Sequence, residues 1–221
     1  MSTRIKVCCI QSIEEAALAV HAGADAVGLV AAMPSGPGPI PEDRIAAIAA
    51  TVPADIATFL LTSLTDPEAV VTQHRKCRTT TIQIVDRVKR EAYGVWHKAM
   101  PGVELVQVIH VQDARAVDEA VAVAPYVDAI LLDSGRPNAA VRVLGGTGNV
   151  HDWSISREIV EQCGKPVWLA GGLKPENVQE AIRSVRPYGV DVCSGLRNAG
   201  RLDPEKLRLF VSAVRAVEDA R

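Results

Sequence analysis

Residues 129–148 carry Ala129-Ile130-Leu131-Leu132-Asp133 and, after a polar link, Leu144-Gly145-Gly146-Thr147-Gly148. An apolar run that ends in an acid and feeds a small-residue loop reads as a buried strand with a busy C-terminal end. The same pattern recurs twice downstream. Pro166-Val167-Trp168-Leu169-Ala170 closes on Gly171-Gly172, and Gly189-Val190-Asp191-Val192 closes on Cys193-Ser194-Gly195. Loops of this kind let amide N–H groups converge on an anion, because glycine has no side chain in the way and tolerates positive φ. A phosphate held by backbone amides and a helix N-terminus is the physical reading. Tight turns alone account for any one such loop; three in successive units favour the phosphate.

The rest of the chain repeats this strand-then-helix alternation. Ile5-Lys6-Val7-Cys8-Cys9 reads as the first strand, and Ser12 with Glu15 opens a helix that Gly23 ends. Asp25–Ala31 is the second strand. The loop from Met33 to Pro41 follows, and its prolines at 34, 37, 39 and 41 forbid helix and paired strand, so it is expected to be an exposed loop. Strands are then expected at Asp55–Leu61, Thr81–Val85, Glu104–His110, Val127–Asp133, Val167–Ala170 and Val190–Cys193. Helices are expected at Glu42–Ala50, from Asp66 onward, and at Arg87–Met100, Asp113–Ala124, Trp153–Cys163 and Pro175–Val185. The last helix is expected from Asp203 to about Glu218. Eight strand–helix units imply right-handed crossovers and a parallel sheet that closes into one (β/α)8 TIM barrel over residues 1–221. A doubly wound open sheet is the alternative. It would place its phosphate loop after the first strand, where there is none.

Composition agrees with a parallel α/β fold. Hydrophobic residues make up 48% of the 221 positions but aromatics only 4%, so a core of Ala, Val, Ile and Leu is expected. A net charge of -2 without a basic run argues against nucleic acid, and none is expected as a partner. No long uninterrupted apolar stretch and no signal-peptide pattern point to a membrane partner, and a cytoplasmic location is expected. Cys8, Cys9, Cys77, Cys163 and Cys193 lack CxxC spacing and read as reduced thiols, with neither a disulfide frame nor a metal site.

Lys6-Val7-Cys8, Leu131-Leu132-Asp133-Ser134, and Gly145-Gly146-Thr147-Gly148 with Asp152-Trp153 together resemble the phosphoribosylanthranilate isomerase family of tryptophan biosynthesis. So do Leu169-Ala170-Gly171-Gly172-Leu173 with Pro175-Glu176-Asn177-Val178. Arg186-Pro187-Tyr188-Gly189-Val190-Asp191-Val192 with Ser194-Gly195 completes the set. The likeness is dense from residue 129 to the C-terminus, thinner over the first two units and poor between about 55 and 125. It implies a (β/α)8 barrel and an Amadori rearrangement of a phosphorylated aminoaldose to an aminoketose, without metal or organic cofactor. It also implies a cysteine base at the end of the first strand, matched by Cys8, and an aspartic acid at the end of the sixth, matched by Asp133.

The chemistry needs both residues: an acid to open the furanose ring to a Schiff base, and a base to take the proton from C2. Taken alone, Cys8 also fits a small buried apolar residue, and Asp133 a helix cap. The substrate phosphate is assigned to Gly145, Gly146, Thr147, Gly148, Gly171, Gly172, Ser194 and Gly195.

The sequence departs from the family pattern at four places. Cys9 stands where glycine is usual, and loop 33–41 lacks the arginine that holds the anthranilate carboxylate. Gln83-Ile84-Val85-Asp86 replaces the usual end of the fourth strand, and Leu196-Arg197 replaces Val-Glu. Arg136 and Arg197 are therefore the candidate substitute cations, and His110 is a further substrate-binding candidate at the end of the fifth strand. A solvated loop arginine and a structural histidine are the plainer readings of Arg136 and His110. Two other functions compete: a paralogue acting on a different phosphosugar, and an idle barrel that binds a phosphate ligand. The expected partner is a phosphorylated small molecule, and the chain is expected to be a monomer or homodimer.

Overall fold

The computed structural model describes residues 2–135 and 151–218. Eight parallel strands form a closed barrel in chain order: β1 Arg4–Val7, β2 Ala26–Val30, β3 Ala57–Thr62, β4 Thr81–Ile84, β5 Glu104–His110, β6 Ala129–Asp133, β7 Val167–Leu169 and β8 Gly189–Val192. Helices alternate with them: α1 Ile13–His21, α2 Glu42–Ala49, α3 Pro67–Cys77, α4 Arg90–Ala99, α5 Arg115–Val123, α6 Trp153–Gln162, α7 Val178–Val185 and α8 Pro204–Glu218. The barrel closes where β1 pairs with β8, Lys6 opposite Asp191 and Val7 opposite Val192.

The local signals act as their chemistry demands. Ser12 Oγ accepts from the Glu15 N–H at 3.2 Å, and Glu15 Oε2 accepts from the Gln11 N–H at 3.0 Å. Asp66 caps α3 ahead of Pro67, and Asp152 caps α6 through the Ser154 N–H at 2.8 Å. Several boundaries differ from the sequence reading. Strand β1 ends at Val7, so Cys8 and Cys9 lie just past it. Helix α7 starts at Val178 because Asn177 Oδ1 accepts from the Lys174 N–H, tying residues 174–177 into a turn. A short antiparallel ribbon, β9 Arg197–Asn198 and β10 Arg201–Leu202, was not foreseen. Ala199 and Gly200 both hold positive φ at its tip, as a two-residue hairpin requires.

Apolar side chains form two layers. The larger lies between the strands and the helices and is built mainly of Ala, Val, Ile and Leu, as expected, with Trp96 and Phe210 among them. The smaller fills the barrel, and there two aromatics dominate: the Phe59 and Trp168 rings meet edge to face at 5.7 Å. The expectation of five reduced thiols is corrected: Cys9 and Cys193 form a disulfide, and Cys8, Cys77 and Cys163 are free. The two half-cystines are 184 residues apart, and only the β1–β8 seam brings their Cα atoms to 5.9 Å. No spacing motif could announce that pair. Among the described residues no helix is long and apolar enough to cross a membrane.

Candidate active site

Side chains alternate across a strand, so residues two apart share a face. On β1 and its extension this sets Lys6 and Cys8 on the barrel side. The same rule sets Asp133 in line with Leu131 on β6, and Cys193 in line with Asp191 after β8. Lys6 is fully buried, and its Nζ lies 2.9 Å from Asp191 Oδ2. It also stands 5.1 Å from the centre of the Phe59 ring. Gly28 on β2 makes the space: a Cβ there would sit 2.7 Å from Cys8 Sγ and 3.2 Å from Lys6 Nζ. The Cys8 N–H donates to Val192 O at 2.8 Å, fixing the base candidate to β8.

Burial governs the electrostatics. It pushes the Cys8 thiol up to about 11, with the Lys6 ammonium pulling the other way. Burial likewise lifts the Asp133 carboxyl above its ordinary range, against the opposing Ser134 N–H, which donates to Oδ1 at 2.7 Å, and against His110. Burial also works against the Lys6 ammonium, yet its pKa is raised, because Asp191 and Cys8 face it. The floor of the site is thus the Lys6–Asp191 pair, in which burial lifts the Asp191 carboxyl against the pull of Lys6, beneath a thiol and a carboxyl that burial also shifts upward.

A cavity of about 80 Å³ opens above this floor. Cys8, Gln83, Asp133, Asp191, Gly171, Gly172 and Ser194 line it, and Met33 with Ser35–Pro37 of the proline loop form its other wall. Among the described residues its lining contains no Arg, Lys or His. Five sequence-assigned residues therefore meet there: Cys8, Asp133, Gly171, Gly172 and Ser194. Gly195 sits just behind them, so close to the seventh loop that a Cβ on it would overlap Leu173 O. Gly145, Gly146, Thr147, Gly148 and Arg136 lie outside the described residues.

Two candidates stand elsewhere. His110 pairs in register with Asp133, but its Nε2 is 3.0 Å from Val85 O, and it lines a separate cavity of about 520 Å³ between α4 and α5. Arg197, the other candidate substitute cation, is packed against Glu15 and the backbone that follows β1. Its NH1 and NH2 each lie 3.2 Å from a Glu15 carboxylate oxygen, and it also donates to the carbonyls of Cys8, Cys9 and Gly200. Its NH1 and NH2 donors are engaged within the fold, while the buried Nε has no partner among the described residues.

Sequence reasoning missed four residues that shape the site: Lys6, Gly28, Asp191 and His151. A lone charge inside an apolar strand was the available signal for Lys6 and Asp191. His151 Nε2 is 2.7 Å from Ser156 Oγ, while its buried Nδ1 has no hydrogen-bond partner among the described residues and faces Gly171. Burial holds this imidazole down to about 4, so it is neutral.

The comparisons with known proteins agree on one family. The family model described as N-(5'-phosphoribosyl)anthranilate (PRA) isomerase matches residues 5–213. An N-(5'-phosphoribosyl)anthranilate isomerase from Methanocella arvoryzae is 36% identical over 217 residues, covering 98% of this chain and 100% of that protein. The solved phosphoribosyl anthranilate isomerase from Thermus thermophilus superposes with a TM-score of 0.83 at 26% identity, over 97% of this chain and 100% of that one. A second solved isomerase is in complex with reduced 1-(o-carboxyphenylamino)-1-deoxyribulose 5-phosphate. It superposes with a TM-score of 0.78 at 25% identity, over 97% and 99% of the two chains.

Proposed function

The chain belongs to the N-(5'-phosphoribosyl)anthranilate isomerase family, and from that premise we propose that Cys8 and Asp133 are the base and acid of its reaction. It is an isomerase of the phosphoribosylanthranilate type, an enzyme of tryptophan biosynthesis that turns a phosphorylated aminoaldose into an aminoketose by general acid–base catalysis. The observation that carries the residue assignment is the single cavity that Cys8, Asp133, Gly171, Gly172 and Ser194 share.

The burial-raised Asp133 carboxyl gives its proton to the furanose ring oxygen. The C1–O bond breaks, and the nitrogen lone pair closes a C1=N iminium. Cys8 as thiolate takes the C2 proton, and the C2–H electron pair forms C1=C2 as the iminium collapses to a neutral enamine. Tautomerisation of the C2 enol delivers the ketone. The high pKa of the unliganded thiol is answered in part by the substrate itself: an iminium cation beside Cys8 favours the thiolate, as Lys6 already does.

The phosphate belongs to the loops after β6, β7 and β8, through Gly145 to Gly148, Gly171-Gly172 and Ser194-Gly195. The anthranilate carboxylate belongs to Arg136, since Arg197 is engaged within the fold. The cation-free lining of the described mouth supports a second reading, a different phosphosugar substrate, and keeps it open to test. A small phosphorylated partner, a cytoplasmic location and a monomeric or homodimeric state complete the proposal.

The test is steady-state turnover of phosphoribosylanthranilate, followed by loss of anthranilate-type fluorescence. Cys8→Ala and Asp133→Asn should each lower kcat by about 10² or more with the substrate phosphate still bound. Near-normal turnover in either variant removes that residue from the mechanism. No turnover in the wild type moves the assignment to another phosphosugar.

A further inference from the structure

We propose that the Cys9–Cys193 bond is a thiol-modification site: a disulfide in the wall of the substrate cavity that exchanges with a small dithiol entering through the mouth. Both half-cystines line the cavity with Cys8. Cys193 is half-buried whereas Cys9 is almost wholly buried, so Cys193 Sγ is the sulfur an incoming thiolate meets.

Three functional segments meet at this bond. Cys9 directly follows the proposed base. Cys193 directly precedes Ser194-Gly195 of the proposed phosphate loop. The Cys9 side chain also packs on the proline loop, where a Cβ on Gly38 would lie 2.7 Å from Cys9 Cβ. Arg197 holds the Cys8 and Cys9 carbonyls from behind. The backbone at Cys9 has φ 61°, a left-handed conformation that a non-glycine residue adopts only when its surroundings hold it there. The bond is one such constraint.

The opened state is also accommodated. Cys9 Sγ lies 3.6 Å from Pro37 O, so a reduced Cys9 thiol has a hydrogen-bond acceptor in place.

The exchange balances. One thiolate of the dithiol attacks Cys193 Sγ, the Cys9–Cys193 bond breaks, and Cys9 leaves as thiolate and takes a proton. The second thiolate attacks the resulting mixed disulfide, releases Cys193, and leaves the small molecule as a cyclic disulfide. Two electrons and two protons pass from the dithiol to the protein, and the reverse sequence closes the bond. With the bond open, the loop carrying Ser194-Gly195 loses its covalent anchor to the segment after β1 and keeps only hydrogen bonds to it. The phosphate then binds more weakly, while Cys8 stays covalently unchanged.

The inference about activity rests on the isomerase reading, but the bond itself is tested without it. Full-length protein equilibrated in oxidised dithiothreitol, then denatured and alkylated, should take up three labels, on Cys8, Cys77 and Cys163. After reduced dithiothreitol it should take up five. Five labels in both cases, or a peptide map that pairs Cys193 with any cysteine other than Cys9, overturns the proposal. In the assay, reduction should raise KM about fivefold or more with little change in kcat, and reoxidation should reverse it. Cys9→Gly keeps the positive φ without strain, and Cys193→Ser removes the other sulfur. Both variants should show the raised KM of the reduced protein in either buffer. A KM indifferent to the buffer in wild type, or a variant that still responds to it, defeats the site as a control on binding.

Discussion

Burial shifts Cys8 and Asp133 in the same direction, towards their protonated forms, yet the reaction needs one of them ionised. The productive form, Asp133 protonated with Cys8 as thiolate, is therefore a minority at neutral pH, because burial pushes the Cys8 thiol up to about 11. The pH profile of kcat/KM follows from that. Activity should rise with pH until Asp133 titrates, run level, and fall above about 11. Asp133→Asn removes the group that sets the rising limb, so its residual activity should keep climbing through neutrality towards about 11. A variant profile that levels where wild type does would show that Asp133 is not the titrating acid. Stability should move the opposite way. A carboxyl whose pKa is raised on folding contributes stability below its unfolded pKa and loses it as pH rises through the folded one. Thermal melts should find Asp133→Asn more stable than wild type at pH 8, with the difference fading towards pH 4.

At the scale of elements, the loops after β7 and β8 are packed back to back. Gly195 leaves no room for a side chain against Leu173 O, a backbone atom that cannot turn aside. Gly195→Ala should push the two loops apart and raise KM about tenfold or more, with a smaller change in kcat, measured by initial rates. An unchanged KM would detach the eighth loop from the phosphate. The two arginines make a contrast of the same kind. Arg197→Met strips Glu15 of a partner in a pair whose side chains are only 8% and 17% exposed. It should cost about 2–4 kcal/mol in urea melts, because a buried charge is left uncompensated. Arg136→Met should leave the melt unchanged and raise KM for phosphoribosylanthranilate about tenfold or more. The reverse outcome would exchange the roles assigned to the two residues.

For the molecule as a whole, the β1–β8 seam is the closure on which the site depends. It joins Lys6 to Asp191, Cys8 to Val192 and Cys9 to Cys193. The disulfide spans 184 residues of sequence, so the chain-entropy argument makes it worth about 2–5 kcal/mol. Reduction should lower Tm by roughly 5–15 °C in a calorimetric scan for a chain of this size. A Tm unmoved by reduction would mean that the seam is held by strand pairing and packing alone.

By itself the sequence determined the barrel, the order of its strands and the ends that carry chemistry. Those are written in local patterns: an apolar run before Asp133, a glycine pair after β7, a capping box at Ser12 and Glu15. It also carried Cys8 and Asp133 as a pair, through motifs that resemble a family. Tertiary structure alone decided what each charge faces. Lys6 read as a residue of a motif until closure set it against Asp191, 185 positions away. Arg197 read as a free cation until Glu15 and the Cys8 and Cys9 carbonyls were found around it. Cys9 and Cys193 read as reduced thiols because no spacing links them. The physical reason is common to all three. Secondary structure is fixed by contacts a few residues long, whereas burial, ion pairing and disulfide geometry are fixed by which strand ends the closed barrel brings together.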